Sequence, residues 1–278
     1  MAVHVLSPEH RNRFGLMVRD WNTMLWRNLI GYIRIPEQIF FSSVQPVMFV
    51  LLFRYVFGGA IGTGPIDYVN FLMPGIFVQT VAFGSIGTSI GLAEDLQKGL
   101  IERFRSLPIA QSSVLVGRTT SDLLRNVFVI ALMTAVGYAV GFRIQTNVVM
   151  FLGAVCLMLL VGYALAWGFA YAGLAAPNSE TAQFMVFPIL MPLTFASSAF
   201  VPTQSMPGWL QAFANNQPIT AIVNASRALI VGNDTPELRA ILGGSTTELV
   251  LTSLAWSIGI LAVLAPLTVW RFKRAGVK

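Results

Sequence analysis

Apolar residues run along this chain in stretches too long for the core of a soluble domain. Six of them, at about 36–57, 69–92, 122–141, 148–174, 181–200 and 248–270, each hold about the 20 residues a helix needs to cross a bilayer. Hydrocarbon offers no partner to an open backbone, so each stretch is expected to be a helix. The pattern therefore predicts an all-α membrane protein, with six transmembrane helices forming one domain over 36–270. Ahead of the first span, Phe14, Val18, Trp21, Leu25, Leu29 and Tyr32 recur at helical spacing, while Arg13, Asp20, Arg27 and Arg34 repeat on the opposite face. This predicts an amphipathic helix over 13–34 lying in the membrane interface, since basic and Trp-containing helices suit lipid headgroups; a cytosolic helix packed on a partner is the alternative. Pro36 ends that helix and opens the first span.

The segment 201–247, between spans five and six, is too apolar for a floppy loop. Pro202, Pro207, Trp209, Leu210 and Phe213 suggest a short interfacial or re-entrant helix, and Ile219 to Val231 a second. Asn224-Ala-Ser226 and Asn233-Asp-Thr235 match a glycosylation pattern that is short and common by chance, and it carries no weight.

Composition agrees with the pattern. Of 278 residues, 55% are hydrophobic and only 11% charged, where a soluble domain has roughly 25% charged residues. The mean hydropathy is +0.69. Of the 18 Lys and Arg residues, fourteen fall in the N-terminal 35 residues, between spans two and three, or after span six; Arg54, Arg143, Arg227 and Arg239 fall on the other side. The positive-inside rule then places both termini in the cytoplasm, with cytoplasmic segments at 1–35 and 271–278; the membrane expected for such a chain is the bacterial plasma membrane. The net charge of +6 reads as topology rather than as nucleic-acid binding. Arg13, Arg19, Asp20 and Arg27 interrupt the first apolar stretch, so no compact signal-peptide core is present. Cys156 stands alone in an apolar run, and the two histidines, His4 and His10, lie in the N-terminal tail. A histidine-based metal or acid-base centre within the membrane is thereby excluded.

The most informative polar segment is Glu94 to Pro108. Leu96, Leu100, Phe104 and Leu107 line one face of a helix predicted over 94–107, and Glu94, Lys98, Glu102 and Arg105 alternate in sign at neighbouring positions. Acids open this helix, bases close it, and Pro108 stops it. A charged helix between two spans is either a handle for a protein partner or a solvated connector, and charge alone does not choose. The source of energy bears on the choice. Spans two, four, five and six carry no ionisable group in their interiors, although ion-coupled carriers normally need such relays. None of Lys98, Lys273 and Lys278 stands in a Gly-Lys-Ser/Thr context, so the chain has no P-loop. A pump of this kind must be driven by an engine bound from outside. Gly87-Thr-Ser-Ile-Gly91 imitates a nucleophile motif, but it lies in a membrane helix without a nearby histidine and reads as packing. Gly84, Gly87 and Gly91, with Ser85 and Ser89, form a small-residue face for close helix approach, and Gly137 and Gly141 offer another on span three.

These residues carry a resemblance. Glu94 to Pro108 with Val116-Gly-Arg118 resembles the coupling-helix region of type 2 ABC transporter permeases, in particular the daunorubicin-resistance drug exporters. Ser197 to Pro202, Met206 to Gln211, Asn216-Gln-Pro218 and Ala225 to Leu229 are similar to the segment before that family's last span, and Pro177 to Glu180 gives a weaker match. The resemblance covers nearly the whole chain. It implies a complex of two permease subunits, identical or homologous, with two copies of a separate ABC ATPase that binds ATP and Mg. This chain would then be a transport subunit rather than an enzyme, binding no cofactor, metal or nucleic acid. The helix from Glu94 to Leu107 would sit in a cleft of the ATPase, with Glu94, Asp95, Lys98, Glu102, Arg103 and Arg105 as its polar contacts, and would move as a rigid body to tilt spans two and three.

For the cargo, spans two and five combine Phe77, Phe83, Met185, Phe187 and Phe195 with Gln79, Thr80, Ser85, Thr194 and Ser197, a mixture suited to an amphipathic drug, natural product or lipid, although such residues serve more often in packing. Pro188 and Pro192 should bend span five and free backbone carbonyls. With no charge on this route, a small hydrophilic anion is an unfavourable cargo. A permease for surface polysaccharide or a lipid-linked glycan shares the same coupling logic. A lipid-modifying membrane enzyme would need clustered acids, histidines or metal ligands that the sequence lacks, and a scramblase-like assembly protein is the remaining class.

Overall fold

The computed structural model describes residues 13–34, 36–106 and 111–274, and every regular element among them is helical. Helix α1 (Arg13–Arg34) gives way at Pro36 to α2 (Pro36–Leu52), which runs on through a π-helical turn, Phe53–Phe57. Then follow α3 (Tyr68–Gly84), α4 (Ile86–Gln97), α5 (Leu100–Ser106), α6 (Gln111–Ala139), α7 (Val148–Ala175), α8 (Ser179–Phe195), α9 (Gly208–Asn215), α10 (Pro218–Val231), α11 (Pro236–Leu242) and α12 (Thr246–Arg274). Local chemistry sets several of these ends. The Asn147 and Asn178 side chains accept from the Met150 and Thr181 N–H groups at 2.8 and 2.7 Å, capping α7 and α8, while Pro218 and Pro236 open α10 and α11.

Four stretches among the described residues are long and apolar enough to cross a membrane: 68–97, 113–139, 148–175 and 236–274. This differs from six equal spans. The first expected span is divided between α2 and its π turn, and the fifth is the 17-residue α8, with Pro188 and Pro192 inside it. Span three differs in the opposite direction. Its helix begins at Gln111 rather than near 122, because the charges that seem to end the apolar run turn inward onto α4 instead of out to water.

Helix α3 is apolar on every side, and each residue from Tyr68 to Ala82 is buried. It forms the axis of the bundle, against which α2, α6, α7 and α10 pack. Met24 of α1 and Phe272 of α12 share one apolar cluster with Leu92, Ile101 and Leu115, so the N- and C-terminal helices meet at the same end of the bundle. The opposite end is closed by the segment after α8. There α10 is no surface helix: nearly every residue from Ile219 to Val231 is buried, whereas Trp209 and Phe213 of α9 are exposed.

Polar side chains hold this closed end together. The Gln217 amide donates to the Leu193 and Ala196 carbonyls at 2.8 and 2.7 Å, satisfying the end of α8. The fully buried Arg227 guanidinium donates to Phe71 O at 2.9 Å, Asn224 Oδ1 at 3.0 Å and Ser198 O at 2.8 Å, with its carbon 3.6 Å from the centre of the Phe71 ring. It thus joins α10 to α3 and to the turn after α8, so Arg227, counted in the sequence among the charges of the outer side, is a buried tie within the bundle. Asn224 is buried in the same network, which rules it out as an exposed glycosylation acceptor.

Glycine sets the closest helix contacts. A Cβ at Gly173 would lie 2.3 Å from Ser89 O, and one at Gly162 would lie 2.2 Å from a Val81 methyl carbon. The small-residue face of α4 therefore meets α7 through Ser85 and Ser89. On span three, Gly137 packs on Met73 and Phe142, while Gly141 lies beyond the helix at φ +101°.

Two outcomes follow. Arg227→Leu should cost about 2–4 kcal/mol and Arg227→Lys should recover little of it, because a single ammonium cannot serve three divergent acceptors; equal thermal stability of both variants and the native chain in detergent would contradict the network. Gly173→Ala should lower stability by about 1–3 kcal/mol. Gly153→Ala, where nothing lies within 4 Å, is the matched control and should change nothing measurable.

Candidate functional site

Charge periodicity implies one rod over 94–107, but the chain makes two helices. Helix α4 closes with Lys98 N and Gly99 N donating to Glu94 O and Leu96 O, both at 3.0 Å, and Gly99 adopts φ +64°. A left-handed glycine is a standard helix terminator. Helix α5 then starts afresh at Leu100, and Ile101 is fully buried beside Leu92 and Leu115. Ile101 and the partly buried Leu96 anchor the segment there, and the Phe104 side chain lies outside what the structure describes.

The six polar residues of this segment separate accordingly. Lys98, Glu102 and Arg103 are exposed, and Glu94 is partly exposed in an i,i+4 ion pair with Lys98 at 3.3 Å. A pair so open to solvent contributes little stability. Asp95 turns the other way. Its carboxylate is buried and meets Arg27 Nη2 of α1 at 3.1 Å, so it fastens α1 to α4 and presents nothing to a partner. Arg105 lies on α5, and Leu107 and Pro108 lie outside the described residues.

Behind this segment, α6 lays a charged face across the glycines of α4. Arg118, Asp122 and Arg125 follow one another at intervals of four and three, on one side of the helix. Arg118 donates to Gly87 O at 3.1 Å, Arg125 donates to Gly84 O, and the buried Asp122 accepts from the Thr88 hydroxyl. The glycines make this possible: a Cβ at Gly91 would lie 1.7 Å from the Arg118 guanidinium. Ser89, the imitation nucleophile, is buried and donates to Ala182 O at 3.4 Å, as packing requires. The spacing of Arg118, Asp122 and Arg125 is visible in the sequence, but counting Arg118 and Arg125 with the charges between spans two and three hides it.

A cleft of about 270 Å³ opens between α2, α3, α4, α6 and α8. Of the side chains predicted along a cargo path, Gln79, Thr80, Phe83 and Phe187 line it, with the Phe83 and Phe187 rings 6.0 Å apart and edge to face. Phe77, Met185, Phe195, Ser85, Thr194 and Ser197 do not. Phe77 is fully buried, edge-on to Phe142, and belongs to the core; Met185 is 42% exposed away from the cleft; Phe195 stacks on Phe200 at 5.3 Å. Gln183 joins the lining from span five, and Gln45, Asn126 and Arg125 join it from elements not assigned to the path, so the cleft carries a cation where an uncharged route was expected. Among the described residues, no group of three or more His, Cys, Asp or Glu side chains is arranged to hold a metal.

Comparison with known proteins agrees with this architecture. The sequence profile of the ABC-2 type transporter family matches residues 19–231. The chain is 34% identical over 264 residues to the daunorubicin resistance ABC transporter permease protein DrrB1 of Streptomyces coeruleorubidus, covering 95% of this chain and 89% of that protein. It is 25% identical over 273 residues to the probable doxorubicin resistance ABC transporter permease protein DrrC of Mycobacterium tuberculosis, covering 96% of this chain and 93% of the relative. A putative transport permease, ycf38 of Pyropia yezoensis, is 24% identical over 225 residues, covering 77% and 74% of the two chains. With the family profile matched over most of its length and its helices apolar enough to span a membrane, this chain belongs to the ABC-2 type transporter family of membrane permeases.

Proposed function

We propose that this chain is the membrane subunit of an ATP-driven exporter of amphipathic or hydrophobic compounds, powered by a separate ABC ATPase that engages the α4–α5 break. The observation that carries the proposal is the exposed charge of Lys98, Glu102 and Arg103 at the end of the most buried helix pair, α3 and α4. A force applied there reaches the bundle axis directly. The relatives' printed names, daunorubicin and doxorubicin resistance permeases, support a drug-like cargo. A cleft of about 270 Å³ near the lower end of usual small-ligand pockets favours such a cargo over a glycan polymer. The complex would hold two permease subunits and two ATPase subunits, with ATP and Mg on the ATPase and both permease termini in the cytoplasm of a bacterial cell.

In this mechanism the ATPases, closing on ATP, displace α5. Ile101 anchors α5 in the cluster of Leu92 and Leu115, so the displacement passes into α4 and α6 and switches access across the membrane. Asp95 and Arg27 hold α1 in register with that movement.

Charge reversal at Glu102 or Arg103 should abolish ATP-dependent export from vesicles carrying both subunits while leaving the amount of permease in the membrane unchanged; undiminished export would remove α5 from the mechanism. Arg27→Asp and Asp95→Arg should each impair export, and the double exchange should restore at least about half of it, since the half-buried pair is remade with its sign inverted. A double exchange no better than either single variant would show that the pair does not act as a unit.

A further inference from the structure

A second cleft, of about 500 Å³, opens between α1, α4 and α6 at the end of the bundle that carries α5, and its size is that of a small-ligand site. Its walls are mostly polar. Arg27 and Asn28 line it from α1, Glu94 and Asp95 from α4, and Arg118 and Arg125 from α6. The Arg27–Asp95 pair, 3.1 Å apart, fastens α1 to α4 and so holds their sequence neighbours Asn28 and Glu94 on two different walls.

Two of these groups call for a ligand. The Asn28 side-chain oxygen accepts from Arg27 Nη2 at 3.2 Å, but its amide nitrogen is buried in the cleft wall with no hydrogen-bond partner among the described residues. Such a donor is costly to leave unmet, and natural structures supply it with water or a ligand oxygen. Glu94 is the second group: its side chain is 44% exposed, and its 3.3 Å ion pair with the still more exposed Lys98 is weak. It can accept from a cation in the cleft.

The balance of charge decides the class of ligand. A purely basic pocket at a membrane interface collects anionic headgroups. Here carboxylates are interleaved with the cations, and the cations are already engaged by the protein: Arg27 with Asp95, Arg118 with Gly87 O and Arg125 with Gly84 O. Neither sign dominates, so the cleft suits a headgroup that carries both. Ile90 and Leu100 add apolar lining, and Trp26, next to Arg27, is 61% exposed, as a tryptophan at headgroup depth would be. A lipid therefore fits better than a soluble phosphate ester.

We propose that this cleft holds the headgroup of a phospholipid bearing a primary ammonium, phosphatidylethanolamine, with a phosphate oxygen accepting from Asn28 and the ammonium donating to Glu94. The lipid is a resident ligand wedged between α1 and α4. Its binding requires neither the ATPase nor the exporter reading.

The test uses the purified, delipidated full-length permease in detergent, without ATPase, and counts retained lipid by native mass spectrometry. Dioleoyl phosphatidylethanolamine, phosphatidylcholine and phosphatidylglycerol are offered separately at equal concentrations. The ethanolamine lipid should bind about tenfold more tightly than the other two, the difference made by one charge-assisted hydrogen bond that a quaternary ammonium or a glycerol cannot donate. Glu94→Gln should bring ethanolamine and choline lipids to within about twofold of each other, and Asn28→Leu should weaken both severalfold. Lys98→Gln removes the ion pair of Glu94 without touching the cleft lining, and it should leave ethanolamine binding unchanged or stronger. Equal retention of all three lipids by the native chain would overturn the proposal, as would ethanolamine binding unchanged in Glu94→Gln or weakened as much by Lys98→Gln as by Glu94→Gln. Displacement of the lipid by an equal concentration of glycerophosphoethanolamine would assign the site to a soluble ester and overturn its lipid source. Either failure leaves coupling through α5 standing.

Discussion

A guanidinium carried into the apolar part of a membrane protein must find acceptors inside the protein, because lipid supplies none. In this chain the acceptors are backbone carbonyls at the end of α3 and on α4, reached through glycines. Arg118 bonds to Gly87 O and Arg125 to Gly84 O, and the absent side chains at Gly84 and Gly91 leave room for the guanidinium planes. Much else depends on this contact. It allows α6 to begin at Gln111, fifteen residues before its uncharged part, which starts at Asn126, and it binds α6 to α4 along a charged seam. On its other side α4 touches α7 at Ser89 and Gly173 with backbone in contact. Helix α4 is therefore gripped from both sides and cannot move alone.

That grip gives the fold its mechanical character. At one end, Arg227, Gln217 and Asn224 tie α10, α3 and the end of α8 into a network with its buried donors largely spent on carbonyls. At the other end, α5 is attached through a glycine turn and the fully buried Ile101. Between them lies the cleft, bounded on one side by Arg125, the same residue that holds Gly84. A displacement of α5 thus has one route inward: along α4 to the carbonyls that carry Arg118 and Arg125, and so to the cleft wall. The movable part, the transmitting part and the cavity share residues, as alternating access through rigid-body rearrangement requires.

The helical architecture was legible because its cause is coarse. Long apolar runs must be helices in lipid, and Pro36, Asn147 and Asn178 punctuate them with familiar chemistry. Gly99 also stood in plain view as a terminator, but the alternation of Glu94, Lys98, Glu102 and Arg105 suits an unbroken helix equally well, and periodicity does not register one residue at positive φ. What sequence hid most was direction. Asp95 looks like its neighbours Glu94 and Lys98 yet points inward to Arg27, and Phe77 looks like Phe83 yet faces Phe142 rather than the cleft. Arg118, Arg125 and Arg227 were counted as markers of the membrane's two sides, whereas each turns into the bundle and donates to backbone carbonyls there. Burial of a charge depends on acceptors supplied by distant segments, and hydropathy along one segment carries no information about those.

The central claim, that an external ATPase engages this chain at the α4–α5 break, is tested most directly by site-specific crosslinking. In a Cys156→Ser background, a single cysteine at position 103 is compared with one at position 145, beside α10 at the opposite end. The account predicts a crosslink from position 103 to a nucleotide-hydrolysing subunit, altered in yield by ATP, and none from position 145. A crosslink from position 145 alone, or none to any nucleotide hydrolase from position 103 while ATP-dependent export persists, would contradict it.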